Sequence, residues 1–289
     1  MNIGWRCLIS LIGATRRPLN ILMTALCLSG VGAVLSGCAT SGTSGEPGAV
    51  NSANVSVVPE APDESEERRR ARIRLELATG YYQQRNFNVA LDELRQSLLA
   101  DPNYASAYGL LGLIYMDLNE KEKALGSFQK GLQILPNDSE LNNNYGWYLC
   151  RNGRERESID YFIKATKNPL YTTPARPLHN AGICALKGGD EVAAEKYFLQ
   201  SYQSDPRNPV ALFQLADLYL KRNDLERART YSKRLLTLYE PNAETLWLSL
   251  KVERKLGNRD GEASLGSQLR RKYPQSRETA YLMTGDYAQ

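Results

Sequence analysis

The chain has 289 residues, with 36 Lys and Arg against 32 Asp and Glu, a formal net charge of +4, five cysteines and one histidine. One histidine excludes histidine-rich zinc sites. A balance this close to neutral lacks the electrostatic footprint of a nucleic-acid binder.

Arg6, Arg16 and Arg17 form a basic N-terminal region without an acidic residue, followed by an apolar stretch from Ile21 to Leu35 that contains Gly30 and Gly32. That stretch is shorter than the roughly 20 apolar residues a spanning helix needs, and suits the core of a secretion signal. A retained N-terminal anchor helix is the alternative. Arg16-Arg17 is followed by Pro18-Leu19-Asn20, which fits a twin-arginine signal poorly.

Leu35-Ser36-Gly37-Cys38 ends the run and resembles the lipobox of bacterial lipoproteins. The resemblance implies removal of residues 1–37, lipidation of Cys38 and residence in the cell envelope. Ala39 stands where an aspartate would favour inner-membrane retention, so the expected location is the outer membrane, with the lipid as anchor on its periplasmic face. Losing the three signal arginines takes the net charge from +4 to +1. Cys7 and Cys27 would leave with the signal and Cys38 would carry lipid. Only Cys150 and Cys184 remain, too few for a disulfide framework. An oxidising periplasm would let them pair, but the preferred reading is two buried free thiols.

Residues 38–62 are rich in Ser, Gly, Thr, Ala, Asn and Pro, with almost no charge and no aromatic side chain. Such a composition cannot bury enough apolar surface to offset its ordering entropy, and reads as a flexible tether with a coil dimension of roughly 25–30 Å. The charged stretch Asp63–Arg74 starts the first helix, acids before arginines, as the helix dipole prefers.

A 34-residue period follows. Around Ala90 stand Leu77, Ala78, Tyr81, Leu94 and Pro102; one period on stand Leu111, Gly112, Tyr115, Ala124, Phe128 and Pro136. The third copy holds Tyr145, Gly146, Leu149 and Phe162, with Ser158 at the crossing position. After a slip of two residues come Ala181, Gly182, Ala185, Ala194, Phe198 and Pro206. Leu215, Ala216, Tyr219, Ala228 and Pro241 mark a fifth copy, and Leu246, Leu250 and Pro274 a weaker sixth. Period and residue types together resemble the tetratricopeptide repeat. The implied fold is all-α, a solenoid of about six helix-turn-helix repeats over 63–276 (71–104, 105–138, 139–172, 175–208, 209–242 and 243–276), followed by a C-terminal tail, 277–289. The periodic residues are expected in the core, because single repeats bury no core and must stack.

In that fold the first helix of each repeat lines a concave groove. Its face positions are Leu75, Tyr82, Leu113 and Met116, then Asn143, Trp147, His179, Ile183 and Leu186, and last Phe213, Asp217, Leu220, Glu244, Trp247, Lys251 and Arg254. An apolar strip with interleaved polar groups suits a protein segment with apolar anchors. Ile183 and Leu186 have packing between repeats as an equal alternative. No phosphate loop, nucleophile elbow or metal-ligand cluster is present. No catalytic residue, cofactor, metal, nucleic acid or small-molecule substrate is expected, and His179 reads as a surface or packing residue rather than a catalytic base.

Asn142-Asn143-Asn144-Tyr145-Gly146 is similar to a segment of the PilF/PilW family of type IV pilus biogenesis and stability proteins. So are Asn168-Pro169-Leu170-Tyr171 with Pro174 to Gly182, Leu215-Ala216-Asp217-Leu218-Tyr219, and Leu269-Arg270-Arg271-Lys272-Tyr273-Pro274. The resemblance covers about residues 71–276; Trp147 and Cys150 depart from it. It implies an outer-membrane pilotin whose partner is the type IV pilus secretin subunit, a PilQ-like protein, which it helps to localise and assemble. A general tetratricopeptide scaffold lipoprotein in outer-membrane or peptidoglycan assembly is the alternative.

Overall fold

The computed structural model describes residues 64–288; the expected signal peptide (1–37), the lipidation site Cys38 and the tether (38–62) lie outside the described residues. Thirteen helices and no strand are found among the described residues. They run as α1 (Glu66–Gln83) and α2 (Phe87–Ala100), α3 (Ala105–Asp117) and α4 (Lys121–Ile134), α5 (Ser139–Arg151) and α6 (Glu155–Ala165), α7 (Ala175–Lys187) and α8 (Glu191–Ser204), α9 (Pro209–Lys221) and α10 (Leu225–Leu238), and α11 (Ala243–Lys255) and α12 (Arg259–Lys272). These six hairpins are followed by an unpaired α13 (Arg277–Thr284).

Local chemistry sets the helix ends. Ser65 caps α1 by accepting from the Arg68 amide, and Asp138, Asp190, Asn208, Asp224 and Asn258 cap later helices in the same way. Each such cap satisfies an otherwise orphaned donor. Every hairpin turns through one left-handed residue: Arg85, Asn119, Gly153, Gly189, Asn223 and Gly257. Glycine and asparagine tolerate this conformation and arginine does not, so Arg85 is the strained member. The turns close alike, with Asn86, Glu120, Arg154, Asp190, Asp224 and Asn258 each donating to a carbonyl five residues earlier.

Inside repeats two, three and four a glycine on the first helix receives a phenylalanine ring from the second. A Cβ on Gly112 would lie 2.5 Å from the Phe128 ring, one on Gly182 would lie 2.6 Å from Phe198, and one on Gly146 would lie 3.0 Å from Phe162. Ser158 fills its crossing position fully buried, against Gly146. Where the helices open, Ser97 donates to Ala71 O at 2.7 Å and Ser201 to Ala175 O at 2.8 Å, tying equivalent points of repeats one and four.

Three expectations need correction. Leu77 is 45 % exposed rather than core. Its equivalent Leu111 packs against the core shared by repeats one and two, whereas among the described residues no repeat precedes the first to cover Leu77. Residues 277–284 form a helix that packs on α11 and α12. This short helix stands where the first helix of a seventh repeat would, and closes the end of the stack. Cys150 and Cys184 are not free thiols: they form a disulfide between α5 and α7, with Cα atoms 5.8 Å apart, inside the usual bonding range. The two-residue slip explains the geometry. A shorter α6, 11 residues against 14 in α2, α4 and α8, and the connection before α7 bring the two cysteines level across neighbouring helices.

A groove along the first helices of the repeats

The first helices α1, α3, α5 and α7 touch in succession, and α9, α11 and α13 do likewise. Face positions on them therefore adjoin from repeat to repeat. At the N-terminal end Leu75, Tyr82, Leu113 and Met116 are all half-buried. Leu75, Tyr82 and Leu113 pack on the Ala78–Leu94 core, while Leu113 and Met116 reach the Phe128–Tyr145 core. The Tyr82 hydroxyl donates to Asp117 at 3.1 Å. Burial, reinforced by that carboxylate, raises the phenol pKa, so Tyr82 stays a neutral donor at the groove edge. Met116 borders a cleft with Tyr148, Arg151 and Asn152.

The middle of the groove is polar beneath and apolar above. Asn143 is buried, 3 % exposed, rather than a groove-lining group. Its Nδ2 donates to Asn144 Oδ1 at 3.1 Å, and its Oδ1 accepts from Asn180 Nδ2 at 2.9 Å, linking α5 to α7. Asn208, the cap of α9, places its Nδ2 2.9 Å from His179 Nδ1, linking α7 to α9. Asn144, Asn180 and Asn208 were not among the face positions, because each sits one step off the register or in a turn. The only signal available was an unusual density of carboxamides beside face residues. Burial first, and the Arg176 charge second, push the His179 imidazole down to about 4. It is thus neutral at physiological pH, a packing and positioning residue. Trp147 is half-buried over the Cys150–Cys184 pair. Ile183 and Leu186 pack against the core shared by repeats four to six, which is the inter-repeat role.

At the C-terminal end Phe213, Asp217, Glu244, Trp247, Lys251 and Tyr281 come together around a cavity of about 260 Å³ between α9, α11 and α13. Asp217 pairs with Lys221 at 2.6 Å, one turn along α9. Burial raises the Glu244 carboxyl, with Glu278 and Asp217 adding to it and Arg277 opposing, and burial lowers the Lys251 ammonium. Leu220 and Trp247 depart from expectation, both about 5 % exposed. Leu220 belongs to the core of repeats four to six. Trp247 is covered by Tyr281 and Tyr287. Arg254 is exposed and pairs with Glu262.

The assembled surface can hold a chain segment by apolar burial. Among the described residues no group of three or more His, Cys, Asp or Glu could hold a metal ion, and no helix is long and apolar enough to cross a membrane.

The tetratricopeptide repeat family matches residues 75–139 and 185–247. The type IV pilus assembly protein PilF of Pseudomonas aeruginosa is 30 % identical over 204 residues, which span 71 % of this chain and 81 % of that protein. The crystal structure of PilW, a widely conserved type IV pilus biogenesis factor, matches with 33 % identity and a TM-score of 0.67, over 74 % of this chain and 98 % of PilW. A second structure, from the functional characterisation of P. aeruginosa PilF, matches with 27 % identity and a TM-score of 0.70, over 77 % of this chain and all of that one.

Proposed function

Since the chain belongs to the PilF/PilW family of type IV pilus tetratricopeptide proteins, we propose that it is the pilotin of a type IV pilus, an outer-membrane lipoprotein that binds the secretin subunit and promotes its localisation and multimer assembly. The observation that carries the reading is the half-buried apolar strip Leu75–Tyr82–Leu113–Met116 on a chain that covers nearly the whole of PilW. An apolar strip of this width suits a helical or extended segment with spaced apolar anchors.

The lipid supplies delivery. Cys38, preceded by Leu35-Ser36-Gly37, would carry acyl chains that contribute about 0.8 kcal/mol per buried CH₂, and two or more chains anchor stably. A captured secretin subunit is then confined to the membrane plane, where its effective concentration rises and ring assembly is favoured. The Cys150–Cys184 disulfide supports an oxidising compartment such as the periplasm. The protein acts by binding, without chemistry of its own.

The test is a pulldown of the secretin subunit by the chain and by a Leu113→Glu, Met116→Glu variant, with thermal unfolding as the fold control. Loss of capture with an unfolding midpoint close to the parent supports the groove. Undiminished capture removes this strip from the account.

A further inference from the structure

The first repeat turns a packing face to solvent. Ile73 and Leu77, one turn apart on α1, are 46 % and 45 % exposed, and Leu99 near the end of α2 is 67 % exposed. The three border one cleft with Glu67, Arg70 and Arg74. In repeats two to six the position of Ile73 is held by Ala107, Leu141, Pro177, Ala211 and Thr245, all of them buried. There the second helix of one repeat packs on the first helix of the next; Ala107, for one, shares a core with Ala90 and Leu94 of α2. Terminal repeats of a soluble solenoid ordinarily carry a polar outer face. The last repeat is covered by α13, whereas among the described residues no helix precedes α1.

The place of this face in the chain argues its occupant. The repeats join the segment that leads back to Cys38 at the start of α1, so the chain ties the lipid proposed above to the end of the stack where Ile73, Leu77 and Leu99 are exposed. The rim is close to neutral: Arg70 lies 3.8 Å from Glu67, and Arg74 lies 2.9 Å from Glu93. Contact is therefore apolar and needs no anionic headgroup. Arginine stems border the aliphatic side chains while their charged heads stay in water, an arrangement that suits a helix lying at a lipid interface.

We propose that the exposed end face of repeat one is a phospholipid contact, on which Ile73, Leu77 and Leu99 seat the solenoid against the membrane that holds its anchor; the inference rests on the lipidated Cys38 of the reading above. Three part-exposed aliphatic side chains hold a free protein weakly. A tether supplies an effective concentration of order millimolar, so the contact forms once the chain is anchored. Leu75 and Tyr82 of the groove strip lie on the opposite side of α1, about 180–200° around the helix from Ile73 at 100° per residue. Seating on lipid thus leaves the groove open to a protein segment.

The test reads depth at the two ends of the stack. Asp63–Gln289 form a compact unit by themselves, so the chain beginning at Cys38 is coupled through that thiol to a maleimide lipid in phosphatidylcholine vesicles with brominated acyl chains. The Cys150–Cys184 bond keeps the other two cysteines from reacting. Tryptophan is introduced as Leu99→Trp at the proposed face, or as Met283→Trp at an exposed site on α13. The emission added by Leu99→Trp should fall about twofold on brominated relative to unbrominated vesicles, as for a ring held at the acyl boundary. Met283→Trp and the uncoupled Leu99→Trp chain should show no such loss, and adding Ile73→Asn with Leu77→Asn should abolish it, with circular dichroism as the fold control. No quenching of the coupled Leu99→Trp chain, equal quenching at both ends, or quenching that survives the two asparagines overturns the proposal. The maleimide supplies the anchor chemically, so failure here leaves the secretin reading standing, and failure of the secretin reading does not alter this result.

Discussion

His179 shows how far one side chain can depend on its setting. In the unfolded chain its imidazole titrates near 6.5, and in the fold near 4 because burial and Arg176 disfavour the charge. The unfolded state therefore binds the proton first, and stability rises with pH through the window from about 4 to 6.5. Falling from pH 7 to pH 5 should cost about 2 kcal/mol on this account. Urea denaturation at the two pH values should show the loss in the parent and not in His179→Gln; an unchanged pH dependence in the variant would refute it. Glycines give a second contrast. A Cβ on Gly126 meets nothing within 4 Å, so Gly126→Ala should stabilise by about 0.5–1 kcal/mol. The Cβ of Gly112→Ala would press on Phe128, and overpacking of that kind costs about 1–3 kcal/mol. Denaturation midpoints that shift the same way in both variants would contradict this packing. Such glycines were legible because their spacing repeats. Asn143, Leu220 and Trp247 were misplaced because register says which helix face a residue occupies, but not what covers that face.

Whole helices tell a similar story. The succession of hairpins could be read from the period, since each repeat copies the same left-handed turn, although α1 begins at Glu66, five residues before the first repeat was expected to start. What the slip does to neighbours could not. It shortens α6 and sets α5 and α7 so that Cys150 meets Cys184, a relation between helices that cysteine counting cannot supply. A disulfide closing a loop of this length typically contributes about 2–4 kcal/mol. The Cys150→Ser, Cys184→Ser variant should lose about that much, and reductant should lower the parent's denaturation midpoint but not the variant's. If thiol alkylation labels both cysteines in the native, unreduced protein, the bond is absent. The helix α13 escaped notice for another reason: it is one half of a repeat, eight residues long, with no second helix to complete the pattern.

At the scale of the molecule, the parts form one device. The stack of first helices makes a groove, half-buried and apolar at the N-terminal end, polar beneath its middle, and aromatic with its own tail seated at the far end. Fold and family were accessible from sequence because a tandem repeat states its packing many times over. The detail of the groove was not, because occupancy and burial are set by contacts between repeats. The central claim is that this groove, tied to a lipid at Cys38, delivers the pilus secretin. The most direct measurement is the amount and membrane location of secretin multimers in cells lacking the protein, complemented with the wild type or with Cys38→Ser. The account predicts loss of outer-membrane multimers on deletion and rescue by the wild type only. Normal outer-membrane multimers in the deletion strain would contradict it and favour the general envelope scaffold.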